Sequence, residues 1–488
     1  MKLSTEGSIP GNEGEQQFLN AEHLVELQSG ELKKELRLGD LVLSQVLYIM
    51  AFSWLGPAGQ LGSGHIMYWI IAVALFYIPS GVVVLHLSGE MPLEGGLYQW
   101  AKLRLGAKAG FFVALNLWAT VVLILSDEAS VISNNLSYVA GPNGAWIVEN
   151  RSFTMVLGAF LMGGLMLVAA RGLALGRWFH NFGGLVLLIV FLGMVSLALP
   201  RWVGIGPAVA SAPAALVLPA ASLLNLNLLG KMGFGAFCGL DGASIFSGEC
   251  RNQQTDRTIR RAIWLAGPLI AVIYIIGTAC VLTFSAPGDI DMTSPATQAL
   301  SRGAHGTIGQ FVVPFVTVLI VCGSIGFSSL YFNVAIRLPM VAGWDHLLPS
   351  SFCSLHPRYK TPIGSIVFIG LTAFLLTILA NLGVGGQEAY QTSLSAGIIC
   401  WTLTYIVMFA IPLVARGERS SWGVRAAAVS GLAMTILYAA LSIFPVIAVK
   451  NSSSFTAKVG GIVIAINAAG ALYFWRARKR QGMLPSLA

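Results

Sequence analysis

Long apolar stretches separated by short polar segments recur along almost the whole chain. A helix needs about 20 apolar residues to cross a hydrocarbon core of about 30 Å, and twelve stretches reach or approach that length. The pattern therefore predicts an all-α, polytopic membrane protein of about twelve transmembrane helices, with both termini on one side. We number the stretches spans 1 to 12, at residues 39–60, 67–88, 107–133, 152–170, 178–199, 229–248, 262–284, 310–336, 364–381, 389–414, 424–448 and 458–475.

The composition supports a membrane protein. Of 488 residues, 56% are hydrophobic and only 10% are charged, whereas soluble proteins carry about 25% charged residues. The six cysteines are scattered, without the spacing of a metal site, and are interpreted as packing residues. The sequence predicts no cofactor.

The net charge of +8 is mainly a topology signal. Of the 29 Lys and Arg residues, 23 lie on one alternating set of connections that includes both tails. The positive-inside rule then predicts cytoplasmic termini in the cell (inner or plasma) membrane, and nucleic acid is excluded as a partner. The predicted regions are a cytoplasmic tail (1–37), a transport core (38–415, with halves 38–200 and 229–415), two additional helices (416–476) and a cytoplasmic tail (477–488).

Two spans contain residues that interrupt helices at membrane depth. Span 1 carries Ser53, Gly56, Pro57 and Gly59, and span 6 carries five glycines within thirteen residues. Pro57 removes an amide donor, and backbone groups freed in lipid must be satisfied by protein or a cavity. Interrupted helices at matching positions of two five-helix halves are typical of inverted-repeat transporters. Their half-helix ends offer donors for a carboxylate and acceptors for an ammonium group.

Charged residues inside apolar spans mark candidate sites, because an unpaired charge in the membrane is costly. Asp241, in the middle of span 6, is expected to pair with an amino group, to carry a proton, or to cap the interrupted helix. Asp127, in span 3, is expected either to attract a cation or to pair with Lys231. No binding role is assigned to its neighbour Glu128.

Three stretches resemble the amino acid/polyamine/organocation (APC) superfamily of permeases. EMPLEGGLYQWAKLRLGAKAGFF (90–112) is similar to its connector between spans 2 and 3. FGAFCGLDGASIFSGECRNQQTDRTIRRAI (234–263) resembles its span 6 signature. RLPMVAGWDHLLPSSFCSLHPRYKTPIGS (337–365) resembles the segment after span 8. With the span number, the likeness covers nearly the whole chain and implies a 5+5 inverted repeat plus two extra helices.

The resemblance implies an amino-acid site between the broken parts of spans 1 and 6. The family's Gly-x-Gly of span 1 falls here on Ala51, Phe52 and Ser53, so unwinding is expected instead between Trp54 and Gly59. Gly235 replaces a Trp that some members carry, which implies a different gate or a roomier site. The implied substrate-binding residues are Ser53, Trp54, Gly56, Phe237, Cys238, Gly239 and Asp241.

Ion coupling is left open by the sequence. Span 5 lacks the Lys through which some proton-coupled relatives work. Oxygens of Ser324, Ser328 and Ser329 are weak candidate ligands for sodium, with back-bonding to their own helix as the alternative.

The leading hypothesis is a secondary active transporter of amino acids or related amines that works by alternating access. Asp127 and Asp241 are the candidate residues for coupling or cation attraction. The partners would be a small-molecule substrate, H⁺, Na⁺ or a counter-substrate, and membrane lipid. A polyamine or diamine transporter of the same fold and a transport-dead amino-acid sensor are the alternatives. No catalytic constellation or channel filter is visible. The two largest external loops, 200–228 and 285–309, could cap a cavity or lie in the membrane interface.

Overall fold

The computed structural model describes residues 27, 34–205, 207–211, 216–217, 222–246, 249–250, 255–304, 306–344, 347–381, 386–414, 420–444 and 451–481. Most of the predicted N-terminal tail and residues 482–488 of the C-terminal tail therefore lie outside the described residues. Every regular element in the described part is helical, which confirms the all-α class.

Ten of the described helices are long and apolar enough to cross a membrane, and a bent pair makes up to eleven. The chain is therefore a multi-pass membrane protein, while the number twelve stays a prediction. The ten are Gly62–Glu90 (span 2), Ala107–Val139 (span 3), Arg151–Ala170 (span 4), Leu173–Trp202 (span 5), Arg257–Phe284 (span 7), Phe311–Ala342 (span 8), Ile363–Asn381 (span 9), Tyr390–Val414 (span 10), Trp422–Leu441 (span 11) and Ser452–Ala477 (span 12).

Span 1 is the bent pair. Its first helix, Leu38–Ile49, meets a second piece, Phe52–Gly59, at 41°. The break lies at Met50 and Ala51, both with extended backbone, so the expectation of unwinding between Trp54 and Gly59 is wrong. Pro57 lies in the first turn of the helix Leu55–Gly59, where the missing amide is not needed.

Span 6 is interrupted as the glycines predicted. Helix Leu223–Gly230 continues through a wide turn, Lys231–Gly235, and is helical to Phe237. The chain then leaves the helix and resumes it only for Gly242–Ile245. Gly239 has φ +113°, a conformation that only glycine adopts without strain.

The pieces of span 1 pack against the pieces of span 6, and the other spans surround them. Span 3 packs against spans 8 and 10, span 5 against span 8, and span 7 against span 1. Spans 4 and 9 pack on each other and on span 3. Three shorter helices, Leu97–Leu105, Ala145–Glu149 and Pro295–Gly303, lie in the connections.

Candidate functional site

Tyrosine hydroxyls satisfy the backbone at the span 1 break. The Tyr274 hydroxyl of span 7 donates to the Ile49 carbonyl at 2.9 Å and accepts from the Ala51 amide at 3.2 Å. The Tyr331 hydroxyl of span 8 donates to the Tyr48 carbonyl at 2.8 Å. Since exposed backbone groups are costly at membrane depth, these bonds allow the helix to stop there.

The span 6 break is held in the same way. The Gly239 amide donates to the Tyr405 hydroxyl at 2.7 Å, and the Gln45 side-chain amide donates to the Gly239 carbonyl at 2.8 Å. The Tyr274 hydroxyl also lies 3.1 Å from the Ala236 carbonyl. Tyr274 therefore contacts both breaks, and Gln45 of span 1 binds span 6 directly.

Asp241 is completely buried. Its Oδ1 accepts a hydrogen bond of 2.5 Å from the Tyr405 hydroxyl, and its Oδ2 has no hydrogen-bond partner among the described residues. The Tyr48 ring packs on Gly239 and Gly242, which flank Asp241 in the sequence. Tyr48 also lines a cavity beside the span 1 break. The ring therefore stands between that cavity and Asp241, which does not line the cavity.

A cavity of about 140 Å³ lies beside the span 1 break. One water needs about 10–15 Å³ of such space, so the cavity has room for a small organic molecule. Three of the predicted substrate-binding residues line it, namely Ser53, Trp54 and Cys238. Thr293, Ser294, Ala296 and Thr297 also line it, so the loop 285–309 does cap a cavity.

The other four predicted substrate-binding residues lie outside the cavity lining. The Phe237 ring stacks on Tyr77, with centroids 4.4 Å apart, and meets Trp69 and Tyr274 edge-on. Gly56 packs against Met292, to which a Cβ at Gly56 would come within 3.2 Å. None of Phe237, Gly56, Gly239 and Asp241 therefore lines the cavity. They pack against the segments that form it.

Trp54 lies against Gly235, the position at which some members of the resembled family carry a tryptophan. A Cβ added to Gly235 would lie 2.6 Å from Cη2 of Trp54. The small residue in span 6 therefore makes room for a large aromatic side chain from span 1. The cavity keeps an aromatic wall, although its tryptophan comes from the other half of the chain.

Span 3 supplies two buried carboxylates to the cavity wall. Asp127 is 4% exposed and Glu128 is 6% exposed, and both line the cavity. The polar neighbour of Asp127 is the Ser393 hydroxyl, and that of Glu128 is the Ser324 hydroxyl. Glu128 therefore belongs to the site, contrary to the sequence interpretation.

The expected alternative of an Asp127–Lys231 pair is wrong. The Lys231 ammonium lies 5.8 Å from the centroid of the Tyr438 ring. Lys231 is buried in the wide turn of span 6, so its side chain packs toward span 11 rather than toward span 3.

The three serines proposed as sodium ligands do not share one site. Ser324 lines the cavity beside Glu128. Ser328 donates back to the Ser324 carbonyl at 2.9 Å, and the Ser329 hydroxyl lies 3.4 Å from Nε2 of His180. For Ser328, the alternative of a hydroxyl that donates to its own helix is therefore the one observed.

Sequence reasoning missed the tyrosines that hold the two breaks. Tyr274, Tyr331 and Tyr405 are fully or almost fully buried, in spans 7, 8 and 10. A buried tyrosine hydroxyl in the middle of a span needs a hydrogen-bond partner. The signal in the sequence was therefore the presence of tyrosines inside apolar spans.

Comparison with known proteins agrees with this architecture. The chain is 23% identical over 392 residues to an uncharacterized transporter of Legionella pneumophila, covering 79% of this chain and 82% of that protein. It is 20% identical over 388 residues to a probable agmatine/putrescine antiporter of Lactococcus lactis, covering 77% and 78%. A low-affinity putrescine importer of Escherichia coli K12 is 26% identical over 361 residues, covering 71% and 75%.

A family model described as amino acid permease matches residues 41–475. The matched region runs from the first helix of span 1 to span 12, and it contains both breaks and the cavity between them. The relatives named above are an uncharacterized transporter, a probable antiporter and an importer. This chain belongs to the amino acid permease family of membrane transporters.

Proposed function

We propose that the protein carries amino acids or related amines through the central cavity by alternating access. The observation that supports this most strongly is the cavity at the span 1 break, which Cys238 of the span 6 break also lines. Two backbone breaks at one site, held by side-chain hydroxyls, form a binding place that can be rearranged without unfolding whole helices.

One side of the cavity is closed by buried ion pairs. The Arg337 guanidinium donates to Oε2 of Glu249, and its Nε lies 3.5 Å from Oε1 of Glu94. These residues join the end of span 8 to the connectors after spans 2 and 6. The segment before span 1 adds to this closure, because Glu35 and Leu36 donate backbone hydrogen bonds to the Glu249 carbonyl.

With both termini in the cytoplasm of a cell-membrane protein, this closed side faces the cytoplasm. The cavity then lies toward the outside, under the loop that contributes Thr293 to Thr297. The basic residues of the alternating connections support that orientation. In this conformation the cytoplasmic side is shut and the loop covers the outer side, and transport requires that the Arg337 contacts open.

The proposed division of labour follows the two halves, 38–200 and 229–415, with 416–476 as an accessory pair of helices and 1–37 and 477–488 as cytoplasmic tails. Ser53, Trp54 and Cys238 contact the substrate in this conformation. Four residues support the broken segments of spans 1 and 6 without lining the cavity: Gly56, Phe237, Gly239 and Asp241. A proton, sodium ion or counter-substrate drives the cycle.

Amines are favoured over other solutes because two of the relatives named above are a putrescine importer and a probable agmatine/putrescine antiporter. At 20–26% identity the substrate itself is not carried over, and amino acids stay within the proposed class.

Native Cys238 provides a direct test, because it lines the cavity and a bound solute would cover it. Its side chain is 3% exposed. Membrane vesicles are treated with a small methanethiosulfonate reagent, and modified cysteines are located by mass spectrometry. We expect a transported solute to slow modification of Cys238 and to leave Cys353, which lies outside the cavity, unaffected.

The test uses a panel of amino acids and diamines. Protection of Cys238 by a solute that also crosses the membrane supports the proposal. Protection without any flux would instead identify a sensor, and a panel without protection or flux would contradict the proposed function.

A further inference from the structure

The cavity wall formed by span 3 carries two carboxyl groups, and no basic side chain faces them within the described lining. Asp127 and Glu128 both line the cavity, and each is more than nine-tenths buried. Oδ2 of Asp127 has no hydrogen-bond partner among the described residues. A buried carboxylate without a partner is costly, so this wall is incomplete without a ligand.

Nothing basic offsets these carboxylates within the described lining of the cavity, which contains no Lys, Arg or His. Lys231, the cation expected in this region, lies against the Tyr438 ring instead. The two acidic neighbours also face different helices, since Asp127 meets Ser393 of span 10 and Glu128 meets Ser324 of span 8.

The rest of the lining is mostly apolar and aromatic. Trp54, Ile124, Phe327 and Ile398 face the same space. Such surfaces suit a short hydrocarbon chain, and an aromatic face also attracts an ammonium group. An acidic end and an apolar body are the two parts of a site for an aliphatic amine.

We propose that Asp127 and Glu128 form the cation subsite of the cavity, and that the substrate is an aliphatic amine with net positive charge rather than a zwitterion. This inference rests on the proposed transport function and specifies its substrate class. The ammonium group occupies the space beside the two carboxylates, with the Ser324 hydroxyl, which also lines the cavity, as an additional acceptor. The buried Asp241 does not contact it in this conformation.

The purified protein is tested with a series of probes that differ in charge: 1,4-diaminobutane (+2), n-butylamine (+1) and leucine (a zwitterion). Equilibrium binding is measured in detergent by scintillation proximity with labelled 1,4-diaminobutane and by competition with the other two. We expect 1,4-diaminobutane to bind most tightly, n-butylamine next and leucine at least tenfold more weakly than 1,4-diaminobutane.

The variants Asp127→Asn and Glu128→Gln are each expected to weaken binding of 1,4-diaminobutane at least tenfold. Glu149→Gln, at an exposed carboxylate outside the cavity, is the matched control and should bind like the unmodified chain. Because both changes alter a buried side chain, thermal unfolding is measured first to show that each variant is folded. The comparison of probes on the unmodified chain does not depend on any variant.

Three results would overturn the inference. Leucine binding as tightly as the diamine would contradict the substrate class. Unchanged diamine affinity in both folded variants would remove the carboxylates from the subsite. Binding of ²²Na⁺ that is lost in both variants, with diamine binding that requires Na⁺, would assign the carboxylates to sodium. If leucine is bound and transported, the proposed function survives while this inference fails; if nothing in the panel is transported, the proposed function fails itself.

Discussion

At the scale of single residues, the contact between Trp54 and Gly235 shapes the cavity. The resemblance to the permeases implied that Ser53, Trp54 and Cys238 lie at the site between the broken spans 1 and 6. The sequence did not predict that Asp241 lies behind Tyr48. A charge inside an apolar span indicates burial, but the side of an aromatic ring on which it lies depends on tertiary packing.

Gly235→Ala is predicted to displace Trp54, because the added methyl group would lie 2.6 Å from its ring. Overpacking of this kind costs about 1–3 kcal/mol, so the thermal unfolding midpoint in detergent should fall and Trp fluorescence should change. The matched control is Gly163→Ala in span 4, where an added Cβ meets nothing within 4 Å. Equal midpoints for the two variants would show that Trp54 is not confined by Gly235.

At the scale of helices, both breaks depend on tyrosines from neighbouring spans. The sequence predicted that spans 1 and 6 are broken, since Pro57 and the glycines are local signals. The break in span 1 nevertheless lies at Met50 and Ala51, several residues earlier than predicted. Its position is set by Tyr274 and Tyr331, which are distant in sequence and therefore invisible to a local pattern.

Tyr274→Phe is predicted to destabilise the protein, because it removes a hydroxyl that contacts Ile49, Ala51 and Ala236. Leaving buried polar groups unpaired costs on the order of 1–3 kcal/mol. The measurement is the thermal unfolding midpoint, together with uptake into vesicles.

Tyr77→Phe is the control for this prediction. Tyr77 is also buried and lies in the same aromatic cluster, but its hydroxyl has no hydrogen-bond partner among the described residues. Its removal should leave stability unchanged or raised. A Tyr274→Phe protein as stable as Tyr77→Phe would disprove the role of Tyr274 at the breaks.

At the scale of the whole molecule, the sequence predicted a polytopic helical transporter from span length and charge distribution. It did not predict which side of the cavity is closed, because the Arg337 cluster joins the end of span 8 to two connections that are distant in sequence. Breaking a buried ion pair costs about 3–5 kcal/mol, although Glu94 offsets part of that loss here. The cluster therefore favours the conformation in which this side of the cavity is shut.

Glu249→Gln is predicted to open this side more often. The neighbouring Cys250 is 4% exposed, and its modification by a membrane-permeant maleimide should become about tenfold faster, equivalent to about 1.4 kcal/mol. Glu388→Gln is the control, since its pair with Lys458 (Nζ to Oε1, 2.9 Å) is partly exposed and such pairs contribute little. Equal modification rates in the two variants would argue against a closure at Arg337.

The central claim is that this chain moves an amine through the cavity between spans 1 and 6, and counterflow in proteoliposomes tests it most directly. Vesicles are preloaded with unlabelled 1,4-diaminobutane, and the labelled compound is added outside. We predict a transient accumulation of label that vesicles without protein lack and that Asp127→Asn reduces at least tenfold. The experiment is repeated with amino acids. The account would be contradicted if folded protein gave no more accumulation of label than protein-free vesicles for any of these compounds.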